Sequence, residues 1–271
     1  MSELSVEDFE KLTRKISVER GFGCASYKEK CLRRRIAVRM RARGVHTYTD
    51  YARLLDDDGA EYERLLDALT INVTKLFRNW EAYSALATTA IPELWSSENP
   101  SIRVWSAGCS SGEEPYSLAV LFHRHAAVNG MLPQIGRVSV VGTDIDKQSL
   151  ANAERGEFEE SDFADTPNEL RSRYFSPAAP FGVATSIKKM VRFERRDLLS
   201  EAPPNGRFDL IVCRNVLIYF DRQTQERLFE SFHASLAPGG FLMLGKVETL
   251  LGSVRSRLTP VDARERIFRR T

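Results

Sequence analysis

Four short apolar runs, set apart by polar and helix-periodic stretches, mark the second half of the chain. Ile102, Val104 and Trp105 form the first, and the others lie within 138–146, 191–194 and 208–215. Each is strand-length and ends on polar residues; the first two read as buried parallel strands and the others as the third and fourth strands of the same sheet. Between the first two, a helix is expected over about 113–127, with Leu118, Leu121 and Phe122 on its apolar positions. The N-terminal third has the helical period instead. Ser5 is a helix cap with Asp8 three residues on, Leu4 and Phe9 make a hydrophobic staple, and Phe9, Leu12 and Ile16 continue the stripe until Gly21-Phe22-Gly23 ends it. Further helices are expected over 28–43, 49–55 and 61–69, with no strand signal among them. The organisation read from this pattern is a helical domain over 1–75, a helix and linker over 76–101 that contains Pro92 and ends in Ser-Ser-Glu-Asn-Pro, and an α/β domain over 102–271.

Composition narrows the class. With 271 residues, 42% hydrophobic and 28% charged, the chain can bury one large core and a small second one. No run reaches the roughly 18 apolar residues of a membrane span. The N-terminus is acidic and amphipathic rather than a basic leader, so a cytoplasmic protein without membrane insertion is expected. Cys24, Cys31, Cys109 and Cys213 show no CxxC or metal-type spacing with the four histidines, which points to reduced thiols and no metal.

The first strand runs into Ser-Ala-Gly-Cys-Ser-Ser-Gly-Glu-Glu-Pro-Tyr-Ser over 106–117. A glycine turn between a buried strand and a helix lets backbone N–H groups approach a ligand closely, and Gly108 and Gly112 supply it. A dinucleotide would set its pyrophosphate at the helix N-terminus, where Glu113 and Glu114 repel it. S-adenosylmethionine carries a sulfonium and an ammonium and no phosphate, so Glu113 is electrostatically suited to it. The ordinary alternative is a plain strand–helix connection. Asp144, closing the second strand, is placed to bind ribose hydroxyls, whereas Asp146 is read as a helix cap. Ligands in open α/β sheets collect outside the carboxyl ends of the strands, so Glu113, Asp144, Asp197 and Asn215 are expected to converge on one crevice.

Residues 28–43 hold eight basic side chains and one acid, a net +7 against +2 for the whole chain, which leaves −5 for the remainder. Leu32, Ile36 and Met40 give a narrow apolar stripe, which puts Arg34 and Arg41 on the opposite face. A solvated helix is the ordinary reading. Seven charges uncompensated along the helix would repel one another, which favours an anionic partner, although nucleic acid would attract the same surface.

At this point the chain resembles the chemotaxis receptor methyltransferases (CheR), through Thr70-Ile71-Asn72-Val73-Thr74-Lys75-Leu76-Phe77-Arg78, residues 107–117, residues 142–146 and Cys213-Arg214-Asn215-Val216-Leu217-Ile218-Tyr219-Phe220-Asp221, in that order. The resemblance implies a Rossmann-like class I methyltransferase domain with a small antiparallel β-subdomain at about 172–192, after an all-α N-terminal domain. It also implies S-adenosylmethionine as cofactor, S-adenosylhomocysteine as product, and glutamates on the cytoplasmic helices of chemoreceptors as substrate. By position, Asn72, Thr74 and Arg78 would contact the cofactor from the linker side. Gly108 would lie in its loop, Glu113 and Asp144 would meet its methionine and ribose parts, and Asp197, Leu198, Asn215 and Val216 its adenine side. Arg34, Arg35, Arg39 and Arg41 would meet the receptor, and Arg78 and Tyr219 are possible crevice residues. The chain departs from the family pattern at Leu76, at Gly245-Lys246-Val247-Glu248 and in a short 176–190 segment. That segment lacks the glycine-rich loop associated with capture of the receptor's C-terminal pentapeptide, so a tail-independent enzyme is expected.

Chemistry separates the alternatives. Methylating a nucleobase needs a Pro-Pro-aromatic loop after the fourth strand or a Pro-Cys nucleophile, and a pocket for a flipped base. Here Arg214-Asn215-Val216 follows that strand and Pro203-Pro204 precedes it. A solvated glutamate, with a reference pKa near 4.3, is ionised at neutral pH and attacks a methyl without a general base, so no indispensable acid, base or covalent nucleophile is expected. The runner-up readings are a nucleic-acid methyltransferase of the same fold and a noncatalytic S-adenosylmethionine-binding sensor.

Overall fold

A computed structural model describes residues 5–70, 74–96 and 100–271. The chain divides into two compact units, Met1–Ile71 with Tyr219–Thr224, and Asn72–Ile218 with Gln225–Thr271. The first unit is helical, built from α1 (Val6–Arg20), α2 (Glu29–Ala42), α3 (Tyr48–Asp57) and α4 (Gly59–Leu69). Ser5 caps α1 by accepting the Asp8 N–H at 3.3 Å, and Gly21 ends it at φ +67°, a conformation that costs a glycine little. Leu4 lies outside the described residues. The apolar face of α1 (Phe9, Leu12, Ile16) and that of α2 (Leu32, Ile36, Met40) bury against Tyr51, Leu55, Leu65 and Leu69. Leu12, Ile16 and Ile36 are at most 1% exposed, and full burial of such a side chain is worth about 1.5–3 kcal/mol.

The second unit opens with α5 (Trp80–Thr88) and α6 (Ala90–Ser96). It continues as β1 (Ile102–Ala107), α7 (Glu113–Val128), β2 (Val138–Asp144), α8 (Lys147–Arg155), β3 (Glu157–Phe158), α9 (Asn168–Tyr174), β4 (Phe181–Gly182), α10 (Thr185–Lys188), β5 (Val191–Arg195) and β6 (Phe208–Cys213). It ends with α11 (Arg222–Ser235), β7 (Leu236–Leu244), β8 (Leu258–Asp262) and β9 (Ile267–Arg270). The sheet order is β5-β2-β1-β6-β7-β9-β8. Its first five strands run parallel, with Val104 opposite Val140 and Leu210, and β9 and β8 add an antiparallel edge. The runs at β1, β2 and β6 are therefore the buried parallel core expected of them, whereas β5 pairs in parallel at the sheet edge and has no fully buried residue. Trp105 locks two strands together, its indole N–H donating to Thr143 Oγ1 at 2.9 Å inside the buried sheet.

β7 opens with Leu-Ala-Pro-Gly-Gly, a start that hides the strand in the sequence, and only 241–244 carry a continuous apolar run. The small antiparallel sheet pairs Glu157 with Gly182 and Phe158 with Phe181. One of its strands thus comes from upstream of the 172–192 segment. Phe163 packs edge-on against both Phe175 and Phe181, and Arg171 lies over the Phe163 and Phe181 rings while pairing with Glu160.

The basic helix differs from its expectation. Part of its charge is compensated from outside: besides Arg33, which pairs with Glu29 within the helix and covers the Phe9 ring, Arg39 makes two hydrogen bonds to buried Glu61 and Arg43 pairs with Asp58. Arg35 donates to the Ala68 and Leu69 carbonyls and lies over the Tyr219 ring. Only one of these acids sits at i, i+4; the others come from the α3–α4 junction. What faces solvent is a stripe of Lys30, Arg34 and Arg41 around exposed Val38.

Candidate functional site

The loop after β1 is held by its backbone. Gly108 and Cys109 N–H groups both donate to the Thr143 carbonyl on β2, at 2.8 and 3.0 Å. Gly108, Ser110 and Gly112 take φ values of +79°, +49° and +96°. A Cβ on Gly108 would stand 2.6 Å from Val216 Cγ2, and one on Gly112 would stand 2.8 Å from Ala153 Cβ. The loop after β6 therefore lies directly against the loop after β1, and α8 packs against the start of α7.

Glu113 and Glu114 occupy the first turn of α7, where the helix dipole favours negative charge. Both are buried. Desolvation pushes each pKa up to about 7, against hydrogen bonds that favour the ionised form. Glu113 accepts from Ser111 Oγ at 2.9 and 3.1 Å and hydrogen-bonds Thr74, while Ser106 Oγ donates to Glu114 at 2.8 Å with Arg214 and Arg78 close enough to stabilise its charge. Asp144 ends β2. Its two oxygens accept the Ser110 and Asp146 N–H groups at 2.8 and 3.0 Å, and burial raises its pKa. Asp146 caps α8 by accepting from the Gln148 and Ser149 N–H groups, as its position suggests.

Three of the expected strand-end residues are thus brought together. Glu113, Asp144 and Asn215 follow β1, β2 and β6, adjacent strands whose loops touch through Ser110–Asp144 and Gly108–Val216. Asp197, after β5, turns to its own loop, accepting from the Leu199 N–H and Ser200 Oγ at 2.9 and 2.6 Å beside half-buried Leu198. Thr74 and Arg78 flank a segment that is tightly held. Leu76 and Phe77 N–H groups donate to the Asp162 carbonyl and Ser117 Oγ, Asn79 N–H donates to Asp165, and Phe77 and Asn79 adopt φ +52° and +59°. Non-glycine residues with positive φ persist where the surroundings over-determine them. Asn72 lies outside the described residues. Tyr219 is grouped with the first unit, where its carbonyl accepts the Lys28 N–H at 2.8 Å.

Two residues with structural command of the site were not singled out in the sequence. Arg214 donates to the Arg78 carbonyl at 2.8 Å and to Asn79 Oδ1 at 3.2 Å, tying β6 to the 74–79 segment. Glu248, four residues beyond β7, is buried and binds the 215–217 backbone. Recognising it required β7, whose opening is masked by Pro238-Gly239-Gly240.

Comparison with known proteins decides the affiliation. Residues 72–267 match the CheR methyltransferase, SAM binding domain, and residues 7–70 match the CheR methyltransferase, all-alpha domain. The chain belongs to the CheR methyltransferase family. It is 32% identical over 246 residues to a chemotaxis protein methyltransferase of Listeria innocua, covering 90% of this chain and 91% of that one. It is 36% identical over 199 residues to the chemotaxis protein methyltransferase Cher2 of Pseudomonas putida, 72% of each. It is also 35% identical over 245 residues to an uncharacterised 104.1 kDa protein of Rhodobacter capsulatus, matching 89% of this chain but 25% of that longer one.

S-adenosylmethionine is the cofactor, and the residues present fit it. Ser110 Oγ and Asn215 Oδ1 are buried without a hydrogen-bond partner among the described residues, and both stand in the loops that Gly108 and Val216 bring into contact. Buried polar atoms left open in this way call for a polar ligand. The carboxylates of buried Glu113 and half-buried Asp144 suit a ligand with a cation and hydroxyls and would repel a phosphate. Replacing Asp144 with Ala is expected to weaken S-adenosylhomocysteine binding by roughly 1–3 kcal/mol, the usual cost of losing a charged hydrogen-bond partner. Calorimetry measures it; unchanged affinity with an intact melting transition would remove Asp144 from the site.

Proposed function

We propose that this chain transfers the methyl group of S-adenosylmethionine to glutamate side chains on the cytoplasmic helices of chemotaxis receptors, forming methyl esters. The observation that carries the reading is the near full-length similarity to chemotaxis protein methyltransferases, with both CheR domains matched in order. The bound cofactor supplies an electrophilic methyl on a sulfonium. A receptor carboxylate oxygen forms the new bond to that carbon as the carbon–sulfur bond breaks, and the electron pair leaves on sulfur. A glutamate of pKa near 4.3 arrives already ionised, so the protein aligns and partly dehydrates the pair without moving a proton. Glu113 holds the ammonium, Asp144 the ribose hydroxyls, and Asn215, Val216, Asp197 and Leu198 the adenine side, with Thr74 and Arg78 closing from the 74–79 segment. Transfer of labelled methyl to receptor fragments as a base-labile ester tests the proposal. Base-stable label, or label on nucleic acid, would overturn it.

Receptor recognition is assigned to the solvent-facing stripe of α2. Arg35 and Arg39 already serve the fold, whereas Arg34 and Arg41 stand exposed with Lys30. Changing Arg34 and Arg41 together to Ala is expected to raise the receptor KM up to about thirtyfold at low salt and to flatten its salt dependence, since exposed charge pairs contribute at most about 1 kcal/mol each and are screened. The cofactor affinity stays unchanged. A receptor fragment lacking its C-terminal tail is expected to serve equally well as substrate. Receptor kinetics indifferent to the double change would return the stripe to a merely solvated face.

A further inference from the structure

Glu248 is buried and its carboxylate is saturated by main-chain donors from two loops. Oε2 accepts the N–H groups of Gly245 and Asn215 at 2.6 and 3.0 Å, and Oε1 accepts those of Val216 and Leu217 at 3.0 and 2.8 Å. Three successive N–H groups converging on one anion form a backbone nest, here filled by the chain's own side chain rather than by a ligand. The nest depends on Asn215 at φ +61°, a conformation that asparagine tolerates only at some cost. It also depends on Gly245, where a Cβ would stand 2.9 Å from the Asn215 nitrogen and 2.7 Å from Glu248 Oε2. Each of these features aims the same two residues. Val216 is set against Gly108, and Asn215 keeps Oδ1 buried and unpartnered.

We propose that Glu248 is a positioning residue for the cofactor: its carboxylate fixes the 215–217 backbone so that Asn215 and Val216 are in place before the adenosine binds. The inference rests on the reading that Asn215 and Val216 contact the cofactor. A preformed contact of this kind contributes affinity by removing the cost of ordering the loop on binding. Glu248 touches neither the reacting atoms nor, on this reading, the cofactor, so its loss acts on cofactor binding and spares the chemical step. Glu248→Gln keeps the size but turns one acceptor oxygen into an amide NH2, a donor that faces N–H donors.

Calorimetry with S-adenosylhomocysteine on the full chain, for E248Q, N215A and the double variant, tests the coupling. E248Q is expected to weaken binding about tenfold, and the double variant is expected to be scarcely weaker than N215A, because residues acting through one another are not additive. With receptor as substrate, E248Q raises the KM for the cofactor and leaves kcat at saturating cofactor and the receptor KM within about twofold, the pattern of lost binding rather than lost transition-state contact. Hydrogen exchange supplies a readout on the unaltered protein: the amides of 215–217 should be protected without any ligand. Native affinity in folded E248Q beside weakened N215A would overturn the positioning role alone. Fully additive losses, or 215–217 amides that exchange as an open loop in the unaltered protein, would do the same. Normal binding by N215A would remove the cofactor reading and the proposal with it.

Discussion

Arg39→Ala is expected to destabilise the helical unit by about 3 kcal/mol, the lower end of the cost of breaking a buried ion pair, while leaving S-adenosylhomocysteine binding intact. Glu61 has no solvent exposure. Burial opposes its charge, yet two hydrogen bonds from Arg39, at 3.0 and 2.5 Å, and one from the Tyr51 hydroxyl at 2.8 Å hold its pKa below the ordinary value. Removing Arg39 leaves that carboxylate with Tyr51 and a longer approach from Arg43 at 3.9 Å. The pH dependence has a definite sign. A depressed carboxylate pKa contributes stability above its unfolded value and loses it as pH falls through the folded pKa, so the gap between wild type and variant should close in acid. Arg39→Lys, which keeps the charge and loses the paired geometry, should fall between the two. Denaturant unfolding at neutral and acid pH checks this. An R39A protein of native stability with a raised receptor KM would restore Arg39 to the recognition surface.

Glu113→Gln is expected to weaken S-adenosylhomocysteine binding by about 3 kcal/mol or more, because the ligand's ammonium would be buried without its counter-charge. The same residue sets a pH dependence. With a pKa near 7 in the cofactor-free protein, Glu113 is mostly protonated in mild acid. The affinity for the cation should therefore rise about eightfold between about pH 6 and 7.5, until the ligand's amino group, with a reference value of 7.7–8.0, begins to lose its proton. E113Q should show no such rise. Stability of the cofactor-free protein runs the other way. A raised carboxylate pKa contributes stability that is fully present below its ordinary value near 4.5 and is lost as pH rises through about 7. Glu114, raised to the same value, adds to that loss. Native affinity in E113Q, or a wild-type affinity flat across this range, would take Glu113 out of the ammonium site.

The features legible in the sequence were those whose cause is local. A strand buried on both faces needs a continuous apolar run, so β1, β2 and β6 declared themselves. The caps at Ser5 and Asp146 bind N–H groups two or three residues away and could be read from spacing. Glu113 and Asp144 followed from strand ends, because a parallel sheet collects its loops on one edge. Positions whose partners are distant could not be read this way. Compensation of the α2 charges by Asp58 and Glu61 is invisible to i, i+4 counting, since an ion pair across helices depends on how those helices pack. Asp197 differs in kind: it stands at a strand end like the others, and its contacts to the Leu199 N–H and Ser200 hydroxyl are local ones that the strand-end rule did not show.

The clearest division lies in the loop after β6. Sequence alone determined that Asn215 and Val216 follow a buried strand. That Asn215 takes a left-handed backbone, that Val216 closes on Gly108, and that Glu248 holds both through their amides was decided by tertiary structure. The physical reason is that a carboxylate satisfies whichever N–H groups the fold delivers to it, and here the parallel pairing of β6 with β7 brings together residues 33 positions apart.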